Sequence, residues 1–306
     1  MTPGGVKNPT FAAMQLTITG YSTALFSTWY FVEEWGVLFD AGDGMISALL
    51  QKSRKIDHVF ISHADRDHLT GLLQFNQLNA RPGFPVMHYP KDATSFPVLE
   101  AFSRQFDRQV ERTVWTPVTE GDEIAIAKDL LVLPMRNGHV PVDPSVIKSL
   151  GYLVVQTRKK LKAELAHLTG EELRQLGERI GRENLSIELR DKVLAYSGDT
   201  PVEEGSSKWN DTAILIHEAT FLGNGEEIRP RTYGNKHSTL EEVMEMVSGL
   251  RIGQLVLGHF SSRYSPEEID AAILLFCEKY AINVPVRRVL PGVTVTDVLG
   301  QPPLNR

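Results

Sequence analysis

The sequence predicts an α/β protein in which two β-sheets pack face to face with helices on the outside. Strand-like segments followed by helix-like segments occur in each of two similar halves of the chain. Such an order buries the apolar faces of two sheets against each other and against helices. In addition, histidine and carboxylate side chains follow several strand-like apolar runs. This position is typical of proteins whose loops carry chemistry while the strands fix geometry.

Length and composition describe an ordinary globular protein. The chain has 306 residues, of which 42% are hydrophobic and 23% charged, enough for a sizeable core. No linker, repeat or low-complexity stretch interrupts it, so we expect a single domain over residues 1–306. A net charge of −6 argues against coating nucleic acid by bulk charge but leaves room for a local basic patch.

Cysteine content and hydropathy narrow the class further. The only cysteine, Cys277, excludes an internal disulfide framework and a cysteine metal site, and we expect it to be a small buried apolar residue. Residues 1–7 lack a signal-peptide pattern, and no stretch reaches the roughly 18 apolar residues of a spanning helix. We therefore expect a cytoplasmic protein with no membrane partner.

Short apolar runs separated by turns predict strands in the first half of the chain. Alternating side chains favour a strand over residues 14–19 that ends at Gly20. The apolar run 59–61 is typical of a buried strand. The pattern of residues 69–75 then predicts a helix, which places His68 at a strand-to-helix turn. Further strands are predicted at residues 24–32, 36–40, 85–89 and 130–133, and a helix at 97–106.

The segment 158–190 is an insert of different character, because it is highly charged. Thr169 with Glu172 three residues later predicts a helix N-terminus. One interpretation is a solvated excursion over the surface. The other is an arm that contacts a polyanionic substrate and emerges near the functional site, since it lies between candidate site residues. Its basic residues are Arg158, Lys159, Lys160 and Lys162.

The last third of the chain alternates strands and helices. Strands are predicted at 212–217, 254–257 and 284–289. A helix is predicted at 239–247, and a longer one at 266–280 has Ser265 as its N-cap.

The stretch S-H-A-D-R-D-H, residues 62–68, is the strongest functional signal. It places two histidines and two carboxylates within six positions: His63, Asp65, Asp67 and His68. Side chains of these types at this density repel and desolvate one another unless cations lie among them, so the stretch predicts a metal pair. His139, Asp199 and His259 then follow other apolar runs and supply the same ligand types. Together these residues indicate a hydrolytic enzyme.

Several motifs identify a family resemblance. Residues 63–68 resemble the H-x-H-x-D-H signature of the metallo-β-lactamase fold. H-E-A-T-F at 217–221, K-H-S-T at 236–239 and H-F-S-S-R-Y at 259–264 resemble blocks of ribonuclease Z, the tRNA 3′-processing endonuclease. Residues 24–29 and the insert resemble its short-armed bacterial form. The resemblance implies an αββα four-layer sandwich of two mixed sheets.

The resemblance also implies a ligand set for two divalent metal ions, of which zinc is expected. Two cations about 3.5–4 Å apart lower the pKa of a shared water and hold the attacking and leaving oxygens of a phosphodiester. One ion would be held by His63, Asp65 and His139, the other by Asp67, His68 and His259, with Asp199 bridging them.

Asp65 departs from the family, which has a histidine at this position. Aspartate is shorter and harder than imidazole and adds a negative charge. We therefore expect the first site to shift from zinc toward manganese, iron or magnesium, or to bind more weakly. Alternatively, Asp65 binds no metal and water fills the gap. The insert also lacks the Gly-Pro-rich arm of long-armed relatives.

Asp67, Glu218 and His237 are the predicted catalytic residues. By resemblance, Glu218 and His237 protonate the leaving 3′ oxygen, and a histidine oriented by a carboxylate is a suitable general acid near neutral pH. Ser262 and Arg263 are expected to place a phosphate or to brace the site.

The leading interpretation is a phosphodiesterase that cuts precursor tRNA after the acceptor stem and leaves a 3′ hydroxyl. Phosphates would meet the basic insert residues, and a homodimer is implied by resemblance alone. Three alternatives stay open. They are a small-molecule phosphodiesterase, a di-iron redox protein and a binding module without catalysis. A di-iron redox protein of this fold would have an acidic residue at the position of Asp65, but it would also carry a flavodoxin-like domain, which we do not find here.

Overall fold

A computed structural model describes residues 15–105, 108–203, 207–223 and 234–306. Two β-sheets pack face to face, and each carries helices on its outer side. This four-layer arrangement confirms the predicted fold class. Three parts of the predictions lie outside the described residues. They are the first residue of the strand predicted at 14–19, the last residue of the helix predicted at 97–106, and the chain start at 1–7.

The first sheet contains six strands in chain order. Its first three strands are antiparallel, and the remaining pairs are parallel. The strands are β1 (Ile18–Thr23), β2 (Ser27–Val32), β3 (Val37–Phe39), β4 (His58–Phe60), β5 (Val86–Pro90) and β6 (Val114–Val118). The helices of this half are α1 (Met45–Leu49), α2 (Arg66–Leu69), α3 (Leu72–Asn79) and α4 (Ser95–Ser103).

The second sheet contains seven strands and is also mixed, with antiparallel pairs first and parallel pairs last. Its strands are β7 (Ile124–Ala127), β8 (Leu130–Arg136), β9 (Leu150–Leu161), β10 (Ser186–Tyr196), β11 (Thr212–Glu218), β12 (Ile252–Gly258) and β13 (Val286–Arg288). The helices of this half are α5 (Gly170–Ile180), α6 (Leu240–Ser248) and α7 (Pro266–Lys279).

Three apolar clusters hold the layers together. One lies between the two sheets and includes Phe39 and Phe60 of the first sheet and Tyr152 of the second. Another packs the first sheet on its helices, and the third packs the second sheet on α6 and α7. Cys277 belongs to this third cluster and is buried, as expected. Within the described residues, no helix is long and apolar enough to cross a membrane.

Several predicted boundaries in the first half were wrong. The strand predicted from residue 24 begins at Ser27, because residues 24–26 form a turn, and the helix predicted at 97–106 is Ser95–Ser103. Strand β1 runs through Gly20 instead of ending there. A Cβ at this position would lie 2.6 Å from the ring of Tyr30, so the glycine makes room for packing and does not form a turn. The helix after β4 begins earlier than predicted, at Arg66, so His68 lies within α2. Gly71, where a Cβ would lie 2.4 Å from the Gly42 carbonyl oxygen, separates α2 from α3.

The insert 158–190 continues β9 and β10 and carries α5 between them. The predicted cap is present, because the Thr169 side chain accepts a hydrogen bond from the Glu172 N–H and the Glu172 carboxylate accepts one from the Thr169 N–H. Its predicted location near the functional site was wrong. Lys159 pairs with Glu188, and the eight residues from there to Tyr196 span roughly 26 Å along β10. Strands β9 and β10 continue past the first residues of their neighbours β8 and β11, so the insert projects from the end of the sheet opposite the site.

Candidate metal centre

The predicted site residues gather at one edge of the two packed sheets, where strands end. Four of them follow β4, and each of β8, β10, β11 and β12 contributes one more at or just beyond its last residue. In that order they are His63, Asp65, Asp67, His68, His139, Asp199, Glu218 and His259. These residues are distant in the sequence, and the packing of the two sheets brings them together because it places these strand ends side by side.

Asp199 occupies the middle of the group. Its Oδ2 atom lies 3.2 Å from Nε2 of His68 and 3.2 Å from Nε2 of His259. Nε2 of His63 lies 3.7 Å from the same oxygen. The carboxylate is buried, and one of its oxygens faces three histidines that come from two segments of the chain. A bridging carboxylate requires this arrangement.

One set of ligand-type atoms surrounds Asp67. Its Oδ2 atom lies 3.6 Å from Nε2 of His68 and 3.5 Å from Nε2 of His259. These three atoms lie within 4.8 Å of one another, which is close enough to share one ion.

A second set lies on the other side of Asp199. Ligand atoms of His63, His139 and Asp199 also lie within 4.8 Å of one another. Asp65 Oδ2 is 3.4 Å from Nε2 of His139 and 3.5 Å from Nε2 of His63, and it accepts a hydrogen bond from Asn235 at 3.0 Å. The Asp65 side chain is 47% exposed, so this set is more open to water than the first.

The histidines fit a metal by their hydrogen bonding. Nε2 of His63, His68 and His259 is buried without a hydrogen-bond partner among the described residues. Their Nδ1 atoms are engaged by Ser62 Oγ at 2.9 Å, Asp40 Oδ2 at 2.7 Å and Thr220 Oγ1 at 2.9 Å. An imidazole that donates from Nδ1 presents a lone pair at Nε2. Three such lone pairs converge here, and this donor set fits divalent ions that accept nitrogen and oxygen ligands.

Asp40 supports the site and was missed by the sequence analysis. Its buried carboxylate accepts hydrogen bonds from the Ser62 N–H at 2.6 Å, the Ser62 hydroxyl at 2.8 Å, the Tyr196 hydroxyl and Nδ1 of His68. The only sequence signal was its place at the end of the apolar run 36–40. Asp40 fixes the ring of His68 and, through Ser62, that of His63.

The carboxylates of the site are held ionised. Burial alone would raise the pKa of Asp67 and Asp199, but the neighbouring His259 and His68 lower it, to about 2 for Asp67 and well below the ordinary range for Asp199. The neighbouring imidazoles of His139 and His63 likewise hold the pKa of Asp65 well below its ordinary range. All three carboxylates are therefore anionic at neutral pH.

His237 and Glu218 form a pair beside this centre. Nδ1 of His237 lies 3.2 Å from Oε1 of Glu218, and the His237 ring stacks on that of His259 with centroids 5.5 Å apart. Burial would lower the pKa of His237, but the Glu218 carboxylate outweighs it and raises the pKa to about 9. The imidazole is therefore protonated at neutral pH and can donate a proton.

Thr220 links the His237–Glu218 pair to the histidines of the candidate metal centre. The sequence analysis missed it, although it lies in the H-E-A-T block. Its hydroxyl donates to Oε2 of Glu218 at 2.5 Å and accepts from Nδ1 of His259 at 2.9 Å. Glu218 also accepts from the backbone N–H of Thr200 at 2.8 Å. The orientation of the carboxylate is therefore fixed from several sides.

The predicted substrate-binding residues lie apart from one another. Arg263 lies near the centre, with its guanidinium 5.5 Å from the ring of Phe221 and its Nε donating to Ser261 at 3.0 Å. Ser262 is exposed in the same turn. Arg158 forms an ion pair with Asp191 at 2.6 Å. At the far end of the sheet, Lys159 and Lys160 are exposed and Lys162 is partly exposed.

The chain is similar in sequence to known proteins. A model of the β-lactamase superfamily domain matches residues 36–186. A chloroplastic tRNase Z of Arabidopsis thaliana is 28% identical over 294 residues, covering 92% of this chain and 76% of that protein. A ribonuclease Z of Archaeoglobus fulgidus is 27% identical over 266 residues, covering 78% of this chain and 81% of that protein.

A solved structure shows the same fold. The metallo-β-lactamase fold protein YhfI of Bacillus subtilis superposes with a TM-score of 0.60 at 14% identity, covering 92% of this chain and all of its own. The curated relatives confirm the resemblance to ribonuclease Z, and the family model and YhfI confirm the fold.

Proposed function

We propose that this chain, a homologue of ribonuclease Z with the metallo-β-lactamase fold, is a metal-dependent endoribonuclease that removes the 3′ trailer of precursor tRNA. The observation that carries the proposal is the placement of the His237–Glu218 pair, 3.2 Å apart, against three buried imidazoles whose Nε2 atoms converge on Asp199. Metal-type ligands and a protonated acid thus adjoin one site, which is what phosphodiester cleavage needs.

Two divalent ions would be held on either side of Asp199. When bound, such ions lower the pKa of a water molecule and stabilise the charge that develops on the phosphate oxygens. Zinc fits the histidines, and the carboxylate of Asp65 also favours manganese or iron. The residues assigned to one ion are His63, Asp65 and His139, those assigned to the other are Asp67, His68 and His259, and Asp199 lies between them.

The protein side chains would hold the attacking water and protonate the leaving oxygen. Asp67, an anion at neutral pH because its pKa is about 2, would hold the attacking water by accepting a hydrogen bond from it, and the proton that this water loses would pass to solvent. His237, protonated because Glu218 raises its pKa to about 9, gives its proton to the 3′ oxygen as the bond from phosphorus to that oxygen breaks. Water thus adds to phosphorus, the tRNA leaves with a 3′ hydroxyl, and the trailer keeps the phosphate.

The substrate would extend along the molecule from this edge. Arg263, which follows Ser262 in the turn after His259, would contact a phosphate near the cut. The insert lysines Lys159, Lys160 and Lys162, roughly 26 Å away along β10, would meet backbone phosphates of a distant part of the same RNA. A small phosphodiester cannot contact both Arg263 and the insert lysines. If the substrate were such a molecule, the insert would have no role in binding it.

The test is cleavage of a precursor tRNA with a 3′ trailer by metal-free protein to which zinc, manganese or iron is added. We expect a cut next to the discriminator base, abolished by Asp67→Ala and by His237→Ala. Hydrolysis of a simple phosphodiester without tRNA cleavage would instead assign the chain to small-molecule substrates. A coloured, iron-loaded protein that consumes oxygen would favour the redox alternative.

We also propose that the enzyme is a homodimer. Large apolar side chains are exposed on the helical layer of the first sheet, among them Leu50, Leu78 and Val98, and a second copy of the chain would bury them. Sedimentation velocity should give a dimer, and Val98→Glu should convert it to a monomer. The expected cytoplasmic location stays a prediction.

A further inference from the structure

The turn between β1 and β2, residues 24–26, presents two large apolar side chains to solvent. Leu25 is 83% exposed and Phe26 is 62% exposed. Burying such side chains is normally favourable, and here they stand next to each other in a three-residue turn. Most of their apolar surface is therefore left in contact with water.

The turn lies directly against the candidate metal centre. The Leu25 N–H donates to Oδ2 of Asp67 at 3.0 Å, and the Ala24 N–H donates to the carbonyl of Phe260, next to His259, at 3.3 Å. A third bond from the Phe26 N–H to the Thr23 carbonyl, at 3.1 Å, closes the turn. The turn that carries the two side chains therefore contacts a residue of the candidate metal centre.

The backbone of Leu25 is also strained. Its φ is +70°, in the left-handed region where glycine has no steric cost and a leucine does. A glycine would form the same hydrogen bond to Asp67 without the strain and without the exposed side chain. Strain combined with apolar exposure at a catalytic centre indicates a side chain that contacts something other than the protein itself.

We propose that Phe26 and Leu25 form a platform for an unpaired base of the RNA, adjacent to the phosphate that is cut. This inference rests on the proposed function. The phosphate would be drawn to the cations, and the base attached to it needs an uncharged surface within the length of one nucleotide. An aromatic ring accepts any base by stacking, and Leu25 extends the apolar surface beside it.

The platform would act on the RNA substrate and not on a minimal phosphodiester. Bis(p-nitrophenyl) phosphate occupies only the centre, whereas the RNA also places a base on the turn. Losing the Phe26 ring should therefore lower the ratio of kcat/KM for RNA to kcat/KM for the diester. Base stacking on one aromatic side chain predicts a decrease of about tenfold.

The experiment crosses protein variants with modified substrates. Wild type, Phe26→Ala, Phe26→Trp and Leu25→Gly would each cut a precursor tRNA, the same RNA with an abasic discriminator nucleotide, and one with an abasic first trailer nucleotide. Leu275→Ala is the matched control, because Leu275 is 60% exposed on α7. We expect Phe26→Ala to cut the intact RNA about tenfold more slowly, Phe26→Trp to restore the rate and Leu25→Gly to lower it with little change in Tm.

The abasic substrates decide whether a base is involved. If Phe26 stacks on a base, removing that base should slow wild type about tenfold and leave Phe26→Ala no slower than it already is. Losses that multiply would overturn the platform, as would a parallel fall in diester hydrolysis. Conversion of a wild-type dimer to a monomer by Phe26→Ala would assign the apolar pair to a second copy of the chain. Wild type that cuts no RNA would overturn the proposed function and the platform together.

Discussion

Nδ1 of His68 lies 2.7 Å from Oδ2 of Asp40, and both side chains are fully buried. The pair lies behind the candidate metal centre, where no substrate reaches it. Asp40 accepts the His68 Nδ1–H and thereby directs the opposite nitrogen toward Asp67 and Asp199. A carboxylate behind a ligating histidine fixes the tautomer and the ring orientation and makes the histidine a better ligand.

Asp40→Asn should therefore weaken metal binding. The amide is no longer an anion behind His68, and we expect about 10- to 100-fold lower affinity for the ion held by that histidine. Competition with a chromogenic chelator measures this without any activity assay. The matched control is Asp211→Asn, because Asp211 is a half-exposed carboxylate paired with Arg251. Affinities of the Asp40 variant within twofold of wild type would contradict the assigned role.

Asp65→His should raise the preference for zinc over manganese. Imidazole is the softer ligand, and the substitution also removes a negative charge from the set that contains His63 and His139. We expect the ratio of zinc to manganese affinity to rise by about tenfold or more. Asp65→Asn, which removes the charge without adding an imidazole, separates the two contributions. Equal ratios in all three proteins would mean that residue 65 binds no metal.

Glu218→Gln should shift the alkaline limb of the pH–rate profile. A general acid must be protonated, and His237 loses its proton as the pH rises through its raised pKa of about 9. Without the Glu218 carboxylate, the opposing effect of burial lowers that pKa. The rate should then decline at a lower pH, by at least about one unit. The kcat of precursor cleavage against pH measures this, with Glu245→Gln as an exposed control. An unmoved limb would exclude His237 as the acid.

Replacing the insert lysines should reduce the salt dependence of RNA binding. Each lost phosphate contact removes about 0.7–0.9 from the slope of log affinity against log salt. Lys159→Ala, Lys160→Ala and Lys162→Ala combined should lower the slope by about 2. Arg158→Ala should lower it less, since Arg158 is paired with Asp191 at 2.6 Å. A triple variant with the wild-type slope would show that the insert does not contact RNA.

His88 should make the fold sensitive to acid. Burial, reinforced by His58 3.1 Å away, lowers its pKa to about 3, whereas the unfolded chain takes up the proton near pH 6.5. As the pH falls below 6.5 the unfolded state binds more protons, so the free energy of unfolding declines by at most about 1.4 kcal/mol per pH unit from this residue. Above pH 6.5 His88 is neutral in both the folded and the unfolded state, so it no longer makes the free energy of unfolding depend on pH.

His88→Phe should flatten that decline, because phenylalanine can stack on Phe60 as His88 does, with centroids 4.4 Å apart. Urea unfolding at pH 7.5, 6 and 5 measures the effect, with His167→Ala as an exposed control. If His88→Phe lost stability with acid as steeply as wild type, the buried pair would not be the cause.

Local features of this protein could be predicted from its sequence. The caps at Thr169 and Ser265 were predicted because a cap is a hydrogen bond between residues three positions apart. The residue types at 63–68 indicated a cation site because two histidines and two carboxylates within six positions must lie close together in any fold. The order of strands and helices indicated two sheets packed face to face with helices outside, because it limits how apolar faces can be covered, and the family resemblance implied the four-layer sandwich.

Contacts between distant segments could not be predicted in this way. Asp40 meets Tyr196 across 156 positions, and Thr220 meets His259 across 39. A lone aspartate at the end of a strand and a threonine in a loop have many ordinary roles in a sequence. Only the packing of two sheets turned them into supports of the same histidine cluster.

The sequence by itself determined the fold class, the ligand types and their position at strand ends, because periodicity and local spacing encode them. The tertiary structure decided which atoms converge on Asp199 and which ring nitrogen of each histidine points toward the centre. It also decided that the basic insert lies at the end of β9 and β10 that is far from the site. It further decided that Leu25 and Phe26 are exposed in a turn whose backbone binds Asp67. These relationships depend on strand length, register and the stacking of sheets, which act over distances that local pattern does not record.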